Sequence, residues 1–141
     1  MNNHMYKPYI PEGINLDESI RSLMEKLGFC PFLKGYEYMV RAIELIYSEP
    51  NLIHSVVKDV YGKIAMENNV NPSCVERNCR TLLRARWNIR GDRGINFALL
   101  PRLHNGKSVP AVKEFIYMAC NLLSAQISEE CKQKTTGDVA N

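Results

Sequence analysis

Ser73, Glu76, Arg77, Arg80, Thr81 and Arg84 crowd into one short stretch, and their side chains are of the types that grip nucleic acid. Arginine offers guanine two parallel N–H donors. Serine and threonine serve bases or phosphates, and a glutamate accepts from the cytosine amino group. On a helical wheel Ser73, Arg77, Arg80, Thr81 and Arg84 share one face, with Glu76 on its flank. Val75, Cys79, Leu82 and Leu83 fall together on the opposite, core-facing side. A row of arginines is also what a solvated helix displays, so the surrounding segment has to decide. From Asp59 to Asn88 the order is a short helical segment, a tight polar turn at Asn69-Val70-Asn71-Pro72-Ser73 and a longer helix to about Trp87. That order is the plan of a helix-turn-helix, whose second helix enters the major groove. Pro72 fits a first helical turn and Asn71 the N-cap before it. Arg86 falls on the inward side, where its stem is expected to pack and its head to reach solvent. Trp87 is expected to anchor the core, and Arg90 and Arg93 to extend the positive patch.

The elements that must hold this face are helical. Asn15 with Glu18 three positions on predicts a capped helix start. Leu16, Ile20, Leu23, Met24 and Leu27 then recur at helical spacing, and Gly28 predicts the stop. A second helix is expected from about Tyr36 to Ser48, broken at Ser48-Glu49-Pro50-Asn51. Leu52, Ile53, Val56, Val57 and Val60 predict a helix to about Tyr61, followed or continued by a short one over 63–68. Residues 95–100 predict another short helix before Pro101, and His104-Asn105-Gly106-Lys107 a turn. The last helix is expected from near Pro110 to Ile127, with Val112, Phe115, Ile116, Ala119, Cys120 and Leu123 inward. No alternating strand or repeat is present, so the expected fold is all-α, a compact bundle of about six helices containing a helix-turn-helix. Its expected divisions are an irregular arm over 1–14 docked through its aromatics, the effector domain over 15–127, and a flexible polar tail over 128–141.

Composition bounds the function. The chain has 141 residues, 45% hydrophobic and 23% charged, an ordinary globular mix with one domain's worth of core. The net charge of +3 is too small to prove a nucleic-acid partner by itself. No apolar run approaches the ~20 residues of a membrane span, and no apolar stretch follows a basic start as in a secretory signal. The expected location is therefore the cytoplasm. Cys30, Cys74, Cys79, Cys120 and Cys131 form no CxxC pair, so no metal or disulfide framework is expected; they read as reduced and mostly buried. His4, His54 and His104 are scattered, no serine lies in a GxSxG setting, and no phosphate-binding glycine loop is present. Neither an enzyme nor a cofactor is expected.

With these residues in place, the sequence resembles the C-terminal DNA-binding effector domain of the sporulation stage-zero A master response regulator family. Val75-Glu76-Arg77, then Arg80 and Trp87, resemble that family's recognition helix. Lys34-Gly35-Tyr36 resembles the start of its second helix, and Asp59-Val60-Tyr61 with Ile64-Ala65 its first helix-turn-helix element. Lys107, Pro110 and Glu114-Phe115-Ile116 resemble the opening of its last helix. The similarity runs from about Leu16 to Leu123. The resemblance implies a six-helix domain that binds short direct-repeat boxes on double-stranded DNA in endospore-forming bacteria. It also implies tandem self-association on DNA and contact with RNA polymerase sigma factor. The resemblance carries Glu76, Arg77 and Arg80 to the DNA face; with Ser73, Cys74, Thr81 and Arg84 of the same helix, and Lys34 and Lys107 on phosphates at helix starts, they make up the expected DNA-contacting set. At Cys74 the family carries an arginine used for base contact, which a thiol cannot replace. These 141 residues leave no room for the family's receiver domain, which implies an isolated effector fragment or a free-standing paralogue. The competing expectation is a protein-interaction module that modulates a full-length sporulation regulator or polymerase without specific DNA binding.

Overall fold

The first helix, α1 (Leu16–Lys26), starts where the side chain of Asn15 accepts from the Glu18 N–H at 3.0 Å. Asp17 and Glu18 place negative charge at the positive end of its dipole. It stops at Gly28, whose φ of 83° suits a residue without a Cβ. There the Gly28 N–H donates to the Glu25 carbonyl at 2.9 Å and the Phe29 N–H to the Met24 carbonyl at 3.1 Å. These two bonds form the Schellman closure that satisfies the last carbonyls of a helix. The computed structural model describes residues 9–87 and 109–140, with side chains to residue 133. The helix expected over 95–100, the turn at 104–107, Arg90, Arg93 and Lys107 lie outside the described residues, as does the arm before Tyr9.

The described residues form helices and no strands. The second helix, α2 (Lys34–Ser48), crosses α1 and buries Met39, Ile43 and Ile46 completely. Arg21 ties the two at their surface. Its guanidinium donates to both carboxylate oxygens of Glu37 at 2.9 and 2.7 Å and to Asp17 at 2.9 Å. Next come α3 (Gly62–Asn68), α4 (Pro72–Trp87) and α5 (Val112–Ala140). Phe115 of α5 is fully buried and meets Phe29 and Trp87 edge-on, with ring centres 5.2 and 6.4 Å away. Trp87 thus anchors the core as expected.

Four expectations need correction. The stretch expected to be a helix from Leu52 to Tyr61 winds as a 3₁₀ turn (Pro50–Ser55) and then a π turn (Val56–Tyr61) before entering α3. Proline at the start favours the tight turn, and the Gly62 N–H reaches back five residues to the Val57 carbonyl. Ile53 of the tight turn and Val56, Val60 and Tyr61 of the wider one face inward, while Val57 is turned out, 69% exposed. The last helix does not end at Ile127; it continues to Ala140 through the segment expected to be a flexible tail. Buried Gln126 donates to the Ser19 carbonyl at 2.7 Å, and the Ser19 hydroxyl donates to Glu130 at 2.9 Å, which holds this extension on α1. The arm docks through buried Pro11 and through the Tyr9 carbonyl, which accepts from the Tyr47 hydroxyl at 3.2 Å; the Tyr9 ring stays exposed. Of the five cysteines only Cys79 and Cys120 are buried, while Cys30 is exposed and Cys74 and Cys131 are half-buried.

Candidate nucleic-acid interface

Between α3 and α4 the chain turns within three residues. Asn69 takes the left-handed conformation, φ 60° and ψ 42°, which asparagine tolerates better than most side chains. The Val70 N–H closes the turn on the Ala65 carbonyl at 3.0 Å. The Asn71 carbonyl accepts from the N–H groups of Cys74 and Val75 at 2.9 and 3.3 Å, so Asn71 stands at the helix cap position. Pro72 opens α4, where its missing N–H costs no helical bond.

The faces of α4 fall as periodicity predicts. Val75, Cys79, Leu82 and Leu83 are buried, and burial pushes the Cys79 thiol up to about 12. Ser73, Arg77, Thr81 and Arg84 are exposed along one side, a row about 16 Å long at 1.5 Å per residue. Arg77 and Arg84 enter no ion pair among the described residues. Arg80 differs from them: it is half-buried and donates to the Glu76 carboxylate at 2.9 Å, so these two act as a pair. Among the described residues, Arg21 and Arg41 are already engaged. Arg41 of α2 clasps Glu67 of α3 with bonds of 3.0 and 2.8 Å, and this pairing holds Glu67 below the usual carboxylate range.

Sequence reasoning missed two residues that set this geometry. Gly35 of α2 lies directly against the backbone of α4. A Cβ at that position would fall 2.1 Å from the Asn78 carbonyl oxygen. This close approach brings exposed Lys34, the first residue of α2, alongside α4. Asn78 is the second. Its side-chain amide donates to the Cys74 carbonyl at 2.8 Å and to the Cys74 sulfur at 3.3 Å, which fixes the half-buried thiol in the first turn. The Gly35 approach has no local sequence signal, since it depends on which helices meet, whereas the Asn78–Cys74 bond lies within α4 at a spacing of four residues.

Arg86 departs from its expected state. It is only 3% exposed rather than reaching solvent, and its Nε donates to the Leu27 carbonyl at 2.6 Å. Leu27 is the residue that caps α1, so Arg86 joins the end of α1 to α4 and contributes nothing to the exposed face. Lys107 lies outside the described residues.

The arrangement offers two guanidiniums without ion partners among the described residues, two exposed hydroxyls and a carboxylate–guanidinium pair on one helix. Such groups can hydrogen-bond base edges and phosphates. No group of three metal-ligating side chains occurs among the described residues, and no described helix is long and apolar enough to cross a membrane. A family model described as "Sporulation initiation factor Spo0A C terminal" matches residues 20–123.

Proposed function

The chain belongs to the Spo0A C-terminal family, a family of sporulation-initiation DNA-binding effector domains, and from that premise we propose that it regulates transcription by sequence-specific DNA binding. In this reading α3, the turn and α4 act as a helix-turn-helix, with α4 in the major groove. The observation that carries it is the outer face of α4, where Arg77 and Arg84 stand exposed beside Ser73 and Thr81. Arg77 reads a base, with the Glu76–Arg80 pair beside it in the groove. Ser73, Arg84 and Lys34 meet phosphates, with Lys107 in the same role.

Direct-repeat boxes imply copies arranged head to tail, so the protein is proposed to bind in tandem. A contact too weak for a stable dimer in solution forms once DNA raises the effective concentration. RNA polymerase sigma factor is the proposed partner of the bound copies.

Arg77→Ala tests the groove placement. Measured on a sporulation-type box and on a scrambled duplex, the substitution is expected to cost about 1–3 kcal/mol on the box and much less on the scrambled sequence. Equal losses on both would reduce Arg77 to a phosphate contact. Absence of binding by the unaltered protein would favour a module that acts on other proteins.

A further inference from the structure

At the end of α2 remote from Gly35, about 18 Å along the helix axis, the segment around Tyr9 meets α5 over a cavity of about 540 Å³. That volume lies in the range of small-ligand sites. The lining divides by chemistry. Pro11, Tyr47 and Ile127 supply buried apolar surface, and the bond from the Tyr47 hydroxyl to the Tyr9 carbonyl fixes one wall. Ser124, Ser128 and Lys132 also line it. They follow one another at intervals of four residues, so they stack along a single face of α5. Lys132 is the one charged side chain in the lining among the described residues, and it is exposed. Glu129 and Glu130 of the same helix line a separate hollow against α1.

We propose that this cavity binds a small organic carboxylate. The carboxylate meets the Lys132 ammonium and the Ser128 hydroxyl, Ser124 being hydrogen-bonded to Tyr47, and an apolar or aromatic body lies on Pro11, Tyr47 and Ile127. A neutral or cationic ligand of the same shape would forgo the Lys132 interaction or oppose it. The site shares no residue with the exposed face of α4, so it stands apart from the DNA-binding reading.

The test uses the full chain, labelled for amide NMR, titrated separately with benzoate, benzyl alcohol and benzylamine. Benzoate is expected to produce saturable shifts at Ser124, Ile127 and Ser128, with benzyl alcohol weaker and benzylamine weakest. Lys132→Gln is expected to weaken benzoate about three- to fivefold, the scale of a partly exposed ion pair, and to leave benzyl alcohol unchanged. Lys132 is exposed, so this variant is expected to melt with the parent. Ser128→Trp, also at an exposed position, is expected to fill the cavity and remove the shifts. No saturable shift with benzoate, equal binding of all three probes, or indifference of benzoate to Lys132→Gln would each overturn the proposal.

Discussion

Cys74 occupies the first turn of α4, its sulfur accepting from the Asn78 amide. A thiol is short and a weak donor, so it cannot make the two-donor guanine contact open to an arginine. Cys74→Arg is therefore expected to raise affinity for a family-type box by about 1–3 kcal/mol and to sharpen selection at one base. Binding to single-base variants of the box checks this; a folded variant with unchanged affinity and selectivity would take α4 out of the groove. Cys79, on the opposite side of the same helix, concerns stability. Its thiol is pushed from 9.0 to about 12 by burial, so the folded state holds this proton more tightly than the unfolded chain. Its contribution is complete below about pH 9 and is lost as the pH rises towards 12. Tyr61, also raised by burial, acts in the same direction. Urea midpoints are expected to fall between about pH 8 and about pH 10.5, and Cys79→Ala to flatten that decline. A decline unaltered by the substitution would assign it to other groups.

Among the elements, the contact between α2 and α4 decides how the exposed face is presented. The obstacle to a side chain at Gly35 is the Asn78 backbone itself, which cannot rotate away. Gly35→Ala is expected to destabilise the fold by about 1–3 kcal/mol through overpacking and to weaken DNA binding further by displacing α4. Urea unfolding with a parallel binding titration separates the two losses, and a variant as stable as the parent would contradict the close approach. The same contact marks how far the sequence was legible. The cap at Asn15, the stop at Gly28 and the two faces of α4 all depend on near neighbours, and all appear where periodicity and capping chemistry put them. The winding from Pro50 to Tyr61 was not legible, because a run of apolar residues does not distinguish 3₁₀ and π turns from an α-helix. Nor was the continuation of α5, since its polar residues look solvated until the Ser19 carbonyl is seen to accept from Gln126 and the Ser19 hydroxyl to donate to Glu130. For Arg86 the wheel gave the direction but not the depth, which follows from the Leu27 carbonyl 59 residues away in sequence.

At the scale of the whole molecule, α2 is the member on which the rest is built. Its first turn abuts α4, Arg41 reaches α3, Arg21 joins it to α1, and its last turn carries Tyr47 beneath the arm. The net charge of +3 is modest, so any hold on DNA must come from where the cations stand rather than from their number. In the proposed reading the exposed arginines of α4, with Lys34, supply that hold. The most direct test of that claim is the affinity for a duplex carrying tandem sporulation-type boxes, measured across a salt series beside a scrambled duplex. The expected result is a linear fall of log K with log salt on both, at a slope of about −0.9 for each phosphate neutralised. The boxed duplex should bind more tightly throughout, and Lys34→Ala should reduce the slope by about one. Absence of binding to either duplex at the lowest salt, or equal affinity for both across the series, would contradict sequence-specific recognition by α4.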